Sequence, residues 1–286
     1  MSSVRARIAP YLLSFPGWFW LGLFFLLPII TVLSVALQTG NPDTGYTFTW
    51  HWSEFSTVLS NYNGELVRSF IYGGISTLAA FVIAYPMAYW IAFHGGLHKS
   101  TYLFIILLPF FVSFVIRTLA WQFLLSDNGI VLGSLKSIGL LPQSTHVLST
   151  PFAVIAGLTY NALPYMVLPL YVAIEKIDRR VVRAAGDLYA SGVQAFFRVI
   201  LPLSSAGIFA GFLLVFVTNV GDYVNASILG GPGTTMIGNV IQNSYLENLD
   251  YPTASALSSI LMVLLLFVIW LYARVFGTEA VEEAVA

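Results

Sequence analysis

The chain has 286 residues, of which 58% are apolar, 15% aromatic and only 9% charged, a balance foreign to soluble domains. A formal net charge of -1 excludes a basic nucleic-acid surface, and the absence of cysteine excludes disulfides, thiolate metal sites and thiol catalysis. The composition is that of an integral membrane protein.

A bilayer core about 30 Å thick takes about 20 apolar residues in a helix, because every backbone N–H and C=O must be paired inside the segment. Six stretches meet that length: Trp18–Leu37, Val67–Phe93, Tyr102–Leu125, Val147–Ile174, Pro202–Val220 and Ser255–Phe276. The rest is too scattered for a separate soluble domain, so residues 1–286 are expected to form a single transmembrane domain. The first stretch follows Arg5 and Arg7 but is longer than a signal-peptide core, and it is expected to be retained. Pro28, Pro86, Pro109, Pro151, Pro164 and Pro169 fall in the spans, either as ordinary kinks or as elements shaping a pathway that opens and closes.

Positive side chains stay on the cytoplasmic side of short loops. With the N-terminus inside, that side collects Arg5, Arg7, Lys99, Lys176, Arg179, Arg180, Arg183, Arg198 and Arg274, against Arg68 and Lys136 opposite. Both termini are therefore expected in the cytoplasm, and Asp43, Glu54, Glu65, Asp127, Asp222, Glu247 and Asp250 outside.

Arg117 is the one fully charged side chain well inside an apolar stretch, and a charge there demands a partner or a wet cavity. Counted from Tyr102 along a continuous helix it lies about 22 Å up, in the outer third of the membrane. Asp222 sits just past the fifth span, so two readings follow: a structural ion pair between Arg117 and Asp222, or a gate in which a cationic substrate binds Asp222 and displaces Arg117. Tyr160 and Asn161, beside Pro164, either line a central cavity at a broken helix or make interhelical hydrogen bonds. Trp121 and Tyr223 either offer cation–π contacts to an amine or anchor span ends at the interface.

Between the fourth and fifth spans, residues 175–201 form the most charged internal loop. Ile177, Val181, Ala184, Ala185 and Leu188 recur at helical spacing behind Asp178 as N-cap, and Val193, Phe196, Phe197, Ile200 and Leu201 do so behind a Ser191–Gln194 capping box. The spacing predicts two short helices with a turn near Tyr189–Ala190. Such a pair either lies on lipid headgroups or forms a docking knob, with small Ala184 and Ala185 permitting close approach. Neither GGLHKS (95–100) nor GGPGTT (230–235) completes a phosphate-binding loop, so no catalytic residue is assigned. The four histidines show no zinc spacing, and no metal is assigned.

The stretch RAAGDLYASGVQAFFRVILP (183–202) resembles the EAA loop of ABC-importer permeases through Ala184, Ala185, Asp187, Leu188, Ala190, Ser191, Leu201 and Pro202. Val199 stands in place of the family's Ile, Arg183 in place of its Glu, and Tyr189 in place of the Gly that helps the chain turn. PFFVSFVIRTLAW (109–121) and GDYVNASILGGPGTTMIGNVIQNSYL (221–246) resemble the permeases of spermidine/putrescine importers, specifically the subunit related to the first of their two permeases. Importers of ferric iron, phosphonates and opines share parts of the pattern.

The resemblance implies an all-α ABC type I importer permease fold in the prokaryotic inner membrane, with six helices, kinked spans, a cytoplasmic coupling helix and an external loop over about 221–251. It implies a second homologous permease, two copies of an ATP-binding subunit that carry ATP and Mg²⁺, and an external solute-binding protein as partners, with no cofactor on this chain. The coupling residues are then Asp178, Arg183, Ala184, Ala185, Asp187, Tyr189 and Ser191. The excess of external acidic residues suits a polycation. The alternatives are a permease for another small solute or an ion-coupled secondary transporter, which calls for paired intramembrane acids that the spans lack.

Overall fold

A computed structural model describes residues 14–276. They fall into two compact units, one from residues 14–63 and 241–263, the other from 64–240 and 264–276.

The first unit opens with helix α1 (Ser14–Ala36), apolar along its length and almost wholly unburied within the chain. It ends at Leu37, whose carbonyl accepts from Thr49 N and His51 N at 3.3 and 3.2 Å, seating a small hairpin directly on the helix end. Strands β1 (Gln38–Asn41) and β2 (Gly45–Phe48) pair antiparallel, with Gln38 opposite Phe48. The Asn41 side chain closes their turn by accepting from Asp43 N and Thr44 N at 3.1 and 2.8 Å. Helix α2 (Ser53–Asn61) follows, and Glu54 accepts from the Thr253 hydroxyl at 2.8 Å. Periodicity in the spans gave no sign of this hairpin, because its strands are short and polar.

In the second unit, α3 (Asn63–His94) is followed by α4 (Lys99–Leu107), α5 (Phe114–Leu125), α6 (Ile130–Ser137) and α7 (Pro151–Glu175). Then come α8 (Arg179–Asp187), α9 (Gly192–Leu203), α10 (Ser205–Val220), α11 (Val224–Leu229) and α12 (Ile237–Gln242). The last helix, α13, is Tyr251–Phe276. Ala80, Ala84, Ala88 and Ala92 put a flat ridge of methyls on α3, and Ala162, Met166, Leu170 and Ile174 of α7 join them in the core with Val215 of α10. On α10, Gly207 and Gly211 stand four residues apart against α7: a Cβ on Gly207 would come within 2.4 Å of Ala173 Cβ, and one on Gly211 within 2.8 Å of Met166 Sδ. Backbones meet this closely only where side chains are absent, the small-xxx-small device of membrane helices.

Among the described residues, four helices are long and apolar enough to cross a bilayer by themselves: α1, α3, α7 and α13. The other two predicted spans are not straight. The third is broken at Val112–Ser113, where the 16 residues Gly96–Phe111 and the segment Phe114–Ser137 meet at 90°. The fifth is bent by 67° at Ser204. At the first break Val112 and Ser113 have extended backbone, with ψ of 139° and 137°, which ends the helical ladder there. Counting each bent pair as one crossing gives six. The 90° break also removes the continuous rise by which Arg117 was placed in the outer third of the membrane.

Candidate functional site

Two parts of the second unit carry the functional residues. The first is the loop between α7 and α10. Asp178 Oδ1 accepts from Arg180 N at 2.8 Å and starts α8 as its N-cap. At the other end Ala190 N donates to Ala185 O at 3.0 Å and Tyr189 N to Gly186 O at 2.9 Å, the paired bonds of a Schellman stop. Tyr189 stands at the left-handed position of that stop with φ of 59°. The turn therefore keeps the shape that a glycine would give it, at a cost of about 1 kcal/mol for the side chain. Ser191 then closes its capping box: Oγ accepts from Gln194 N at 3.2 Å, and Ser191 N donates to Gln194 Oε1 at 2.9 Å.

The loop turns its apolar residues outward. Leu188 is 82% and Tyr189 98% exposed, and Val193 and Phe197 are also exposed. Arg183, Ala184 and Asp187 are exposed and Ala185 half-buried. Only Ile177 of the first apolar set and Ile200 of the second are buried. Arg179, which the sequence pattern did not single out, ties the loop to the bundle: Nη2 donates to Ala92 O at 2.9 Å and the guanidinium lies 5.5 Å from the Phe93 ring centre. A cation on the last carbonyls of α3 is where the helix dipole favours one. Lys99 Nζ to Glu175 Oε1 at 2.6 Å joins the start of α4 to the end of α7 beside it.

Replacing Tyr189 with Gly should relieve the left-handed strain by about 1 kcal/mol. Hydrogen exchange of the amides around residues 185–195 should slow about fivefold. Unchanged or faster exchange would show that the turn carries no strain.

The second part is a polar cluster among helices. Asn161 of α7 is 4% exposed, and its Nδ2 donates to Asn225 Oδ1 of α11 at 3.1 Å, with Thr118 Oγ1 of α5 at 3.4 Å. Asn225 is held by Asp222: its backbone N donates to Asp222 Oδ1 at 2.7 Å and its Nδ2 to Oδ2 at 3.3 Å. Gly157, one turn before Asn161, makes room, since a Cβ there would meet Leu229 Cδ1 at 2.4 Å and Asn225 Oδ1 at 2.8 Å. Asn161 thus makes the interhelical hydrogen bonds. Asn225, Thr118 and Gly157 were not singled out in the sequence, because a polar or small residue in a span gives no periodic signal.

Arg117 and Asp222 do not form an ion pair: among the described residues no carboxylate lies within 4.0 Å of Arg117. Asp222 instead accepts from the backbone and side-chain N–H groups of Asn225 at the start of α11, and Arg117 lies over aromatic rings, 5.1 Å from the Phe110 centre and 5.7 Å from that of Phe114. Its Nε is buried without a partner. Phe110 in turn packs on Tyr165 at 4.8 Å. Tyr165 lines a groove of about 930 Å³ that runs between α7 and α10 past Pro169, Ala173 and Gly207 to Lys176 and Asp178 at the loop. Trp121 packs edge-on against Tyr160 at 5.3 Å. Tyr223 is exposed and offers its carbonyl to Asn239 Nδ2 at 2.8 Å.

Comparison with known proteins places this geometry. The profile of the family described as "Binding-protein-dependent transport system inner membrane component" matches residues 55–276. The Haemophilus influenzae spermidine/putrescine transport system permease protein PotB is 37% identical over 256 residues, 89% of this chain and 90% of that protein. Its Escherichia coli K12 namesake is 34% identical over 268 residues, 92% of this chain and 98% of that one. A solved bacterial ABC transporter involved in import of the acidic polysaccharide alginate has a chain of the same fold, with a TM-score of 0.74 at 20% identity, covering 95% of this chain and 96% of its own.

Proposed function

The chain belongs to the binding-protein-dependent transport system inner membrane component family, and from that premise we propose that it forms half of the pathway of an ATP-driven polyamine importer. Its partners in this reading are a second permease, two copies of an ATP-binding subunit and an external solute-binding protein, and residues 1–286 act as a single permease domain. The observation that carries the substrate is the pair of relatives, 37% and 34% identical along nearly their whole length, named for spermidine and putrescine. ATP and Mg²⁺ belong to the partner ATPase.

The loop of α8 and α9 is the coupling element. Its outward Tyr189 and Phe197 are aromatics of the kind enriched at docking interfaces, and Leu188 and Val193 are exposed with them. Arg179 on Ala92 O, and the direct run of α7 into the loop, give a push on α8 two routes into the membrane helices. The Lys and Arg bias supports a cytoplasmic side for this loop and both termini; Arg5 and Arg7, which contribute to it, lie outside the described residues. The groove between α7 and α10 and the cluster from Arg117 to Tyr223 belong to the pathway or its gate, in which closure of the ATPase pair turns the permeases from inward-open to outward-open.

The test is to tag the chain, extract it gently and identify by mass spectrometry what stays bound. Co-recovery of an ATP-binding subunit, a second permease and a binding protein, followed by ATP-dependent putrescine uptake in proteoliposomes, is the expected result. Recovery of the chain alone, under conditions that preserve a known ABC importer, would sink the assembly; a complete complex that takes up no polyamine would sink the substrate.

A further inference from the structure

The hydrogen bonds around Asn161 have a direction, and one residue sets it. An ionised carboxylate only accepts. Both Asp222 oxygens face N–H groups of Asn225, at 2.7 and 3.3 Å, so the Asn225 amide must turn its NH2 toward Asp222 and its oxygen toward α5 and α7. Asn161 is then obliged to offer Nδ2 to that oxygen, at 3.1 Å. The Asn161 amide oxygen is left buried with no donor. This orphan is no accident of amide assignment: turning Asn161 round would set two oxygens against each other unless Asn225 turned too, which Asp222 forbids.

We infer that Asp222, acting through Asn225, is a positioning residue that makes Asn161 of α7 present an unpaired acceptor inside the helix cluster, suited to an alkylammonium group, and that protonation of Asp222 inverts the chain of amides. The inference rests on the reading of this chain as a polyamine pathway. With a neutral carboxyl, the Asp222 O–H donates to Asn225 Oδ1, Asn225 Nδ2 donates to Asn161 Oδ1, and the group that Asn161 turns away from Asn225 is an NH2, which an ammonium cannot use. A buried acceptor without a donor is unfavourable, so a substrate N–H arriving there is favoured in the ionised state alone.

The surroundings permit the switch. Asp222 packs against α12 at Gly238, and α10, α11 and α12 carry no ionisable side chain. Among the described residues no cation lies within 4.0 Å of it, and Arg117 is engaged with Phe110 and Phe114. Burial pushes the Asp222 carboxyl up to about 6, against the opposing hydrogen bonds from Asn225 and from Val224 N. Raised above its ordinary value of 3.8, it is ionised at neutral pH and takes its proton as the pH falls through about 6.

The test uses the whole importer in proteoliposomes, with inner and outer pH varied together between about 5 and 8, and KM for labelled putrescine as readout. For the wild type, KM should rise about tenfold on acidification, the size of a lost charge-assisted hydrogen bond. Asp222→Asn, which keeps shape but cannot titrate, should show a KM that no longer follows pH. Asn225→Leu severs the relay while leaving Asp222 in place, and should flatten the profile in the same way. Profiles of both variants superimposed on the wild type overturn the inference and leave the polyamine reading intact. Absence of putrescine uptake by the wild-type complex overturns the reading and the inference built on it.

Discussion

Leu188→Glu should abolish transport while leaving the permease folded and in the membrane. Leu188 is 82% exposed, so the fold loses almost nothing by the change, as is usual for surface substitutions outside special backbone sites. A carboxylate buried without a partner where an ATPase docks costs about 2 kcal/mol or more, about thirtyfold in affinity. Substrate-stimulated ATP hydrolysis by the reconstituted complex should fall at least that much, with the ATP-binding subunit lost on gentle purification. Wild-type stimulation in the variant would return the loop to the headgroup surface and remove its coupling role. A second substitution separates docking from transmission. Arg179→Ala removes the bond to Ala92 O and the contact with Phe93 but touches none of the exposed anchors. It should keep the ATPase bound while ATP hydrolysis proceeds with little uptake; equal loss of binding and uptake would place Arg179 in the docking surface instead.

The loop was readable in advance because its signals are local. An N-cap Asp178, a capping box at Ser191 and helical spacing are each decided within four residues, and the structure has all three. Tyr189 was legible as a departure from the EAA pattern, but its consequence was not. The Schellman bonds from Tyr189 N and Ala190 N hold the left-handed turn, so the missing glycine alters its energy rather than its shape. The membrane spans divide in the same way. Hydropathy locates apolar segments and says nothing of their direction, so Tyr102–Leu125 read as one helix although the extended backbone at Val112 and Ser113 turns it through 90°. The expected Arg117–Asp222 pair failed for the same reason: its geometry assumed a straight helix, and Asp222 has a nearer donor in Asn225. Contacts made by absent side chains, at Gly157, Gly207 and Gly211, are invisible until the partner helix is placed.

The second large effect tests that last class of contact. Gly157→Leu should destabilise the protein by about 3 kcal/mol, the upper part of the usual range for overfilling a packed site. The first added carbon already falls 2.4 Å from Leu229 Cδ1 and 2.8 Å from Asn225 Oδ1, and Leu229 is itself fully buried. Neither neighbour can yield, because Asn225 is fixed by Asp222 and Leu229 ends α11, with Ser149 N donating to its carbonyl at 2.9 Å. Gly74 of α3 is the matched control: a Cβ there meets nothing within 4 Å, so Gly74→Ala should be neutral or stabilise the helix by up to about 1 kcal/mol. Thermal unfolding in one detergent should therefore drop for Gly157→Leu and hold or rise for Gly74→Ala. Comparable stability for the two variants would mean that α7 and α11 are not packed through Gly157, and the path from Asp222 to Asn161 would lose the spacing on which its hydrogen bonds depend.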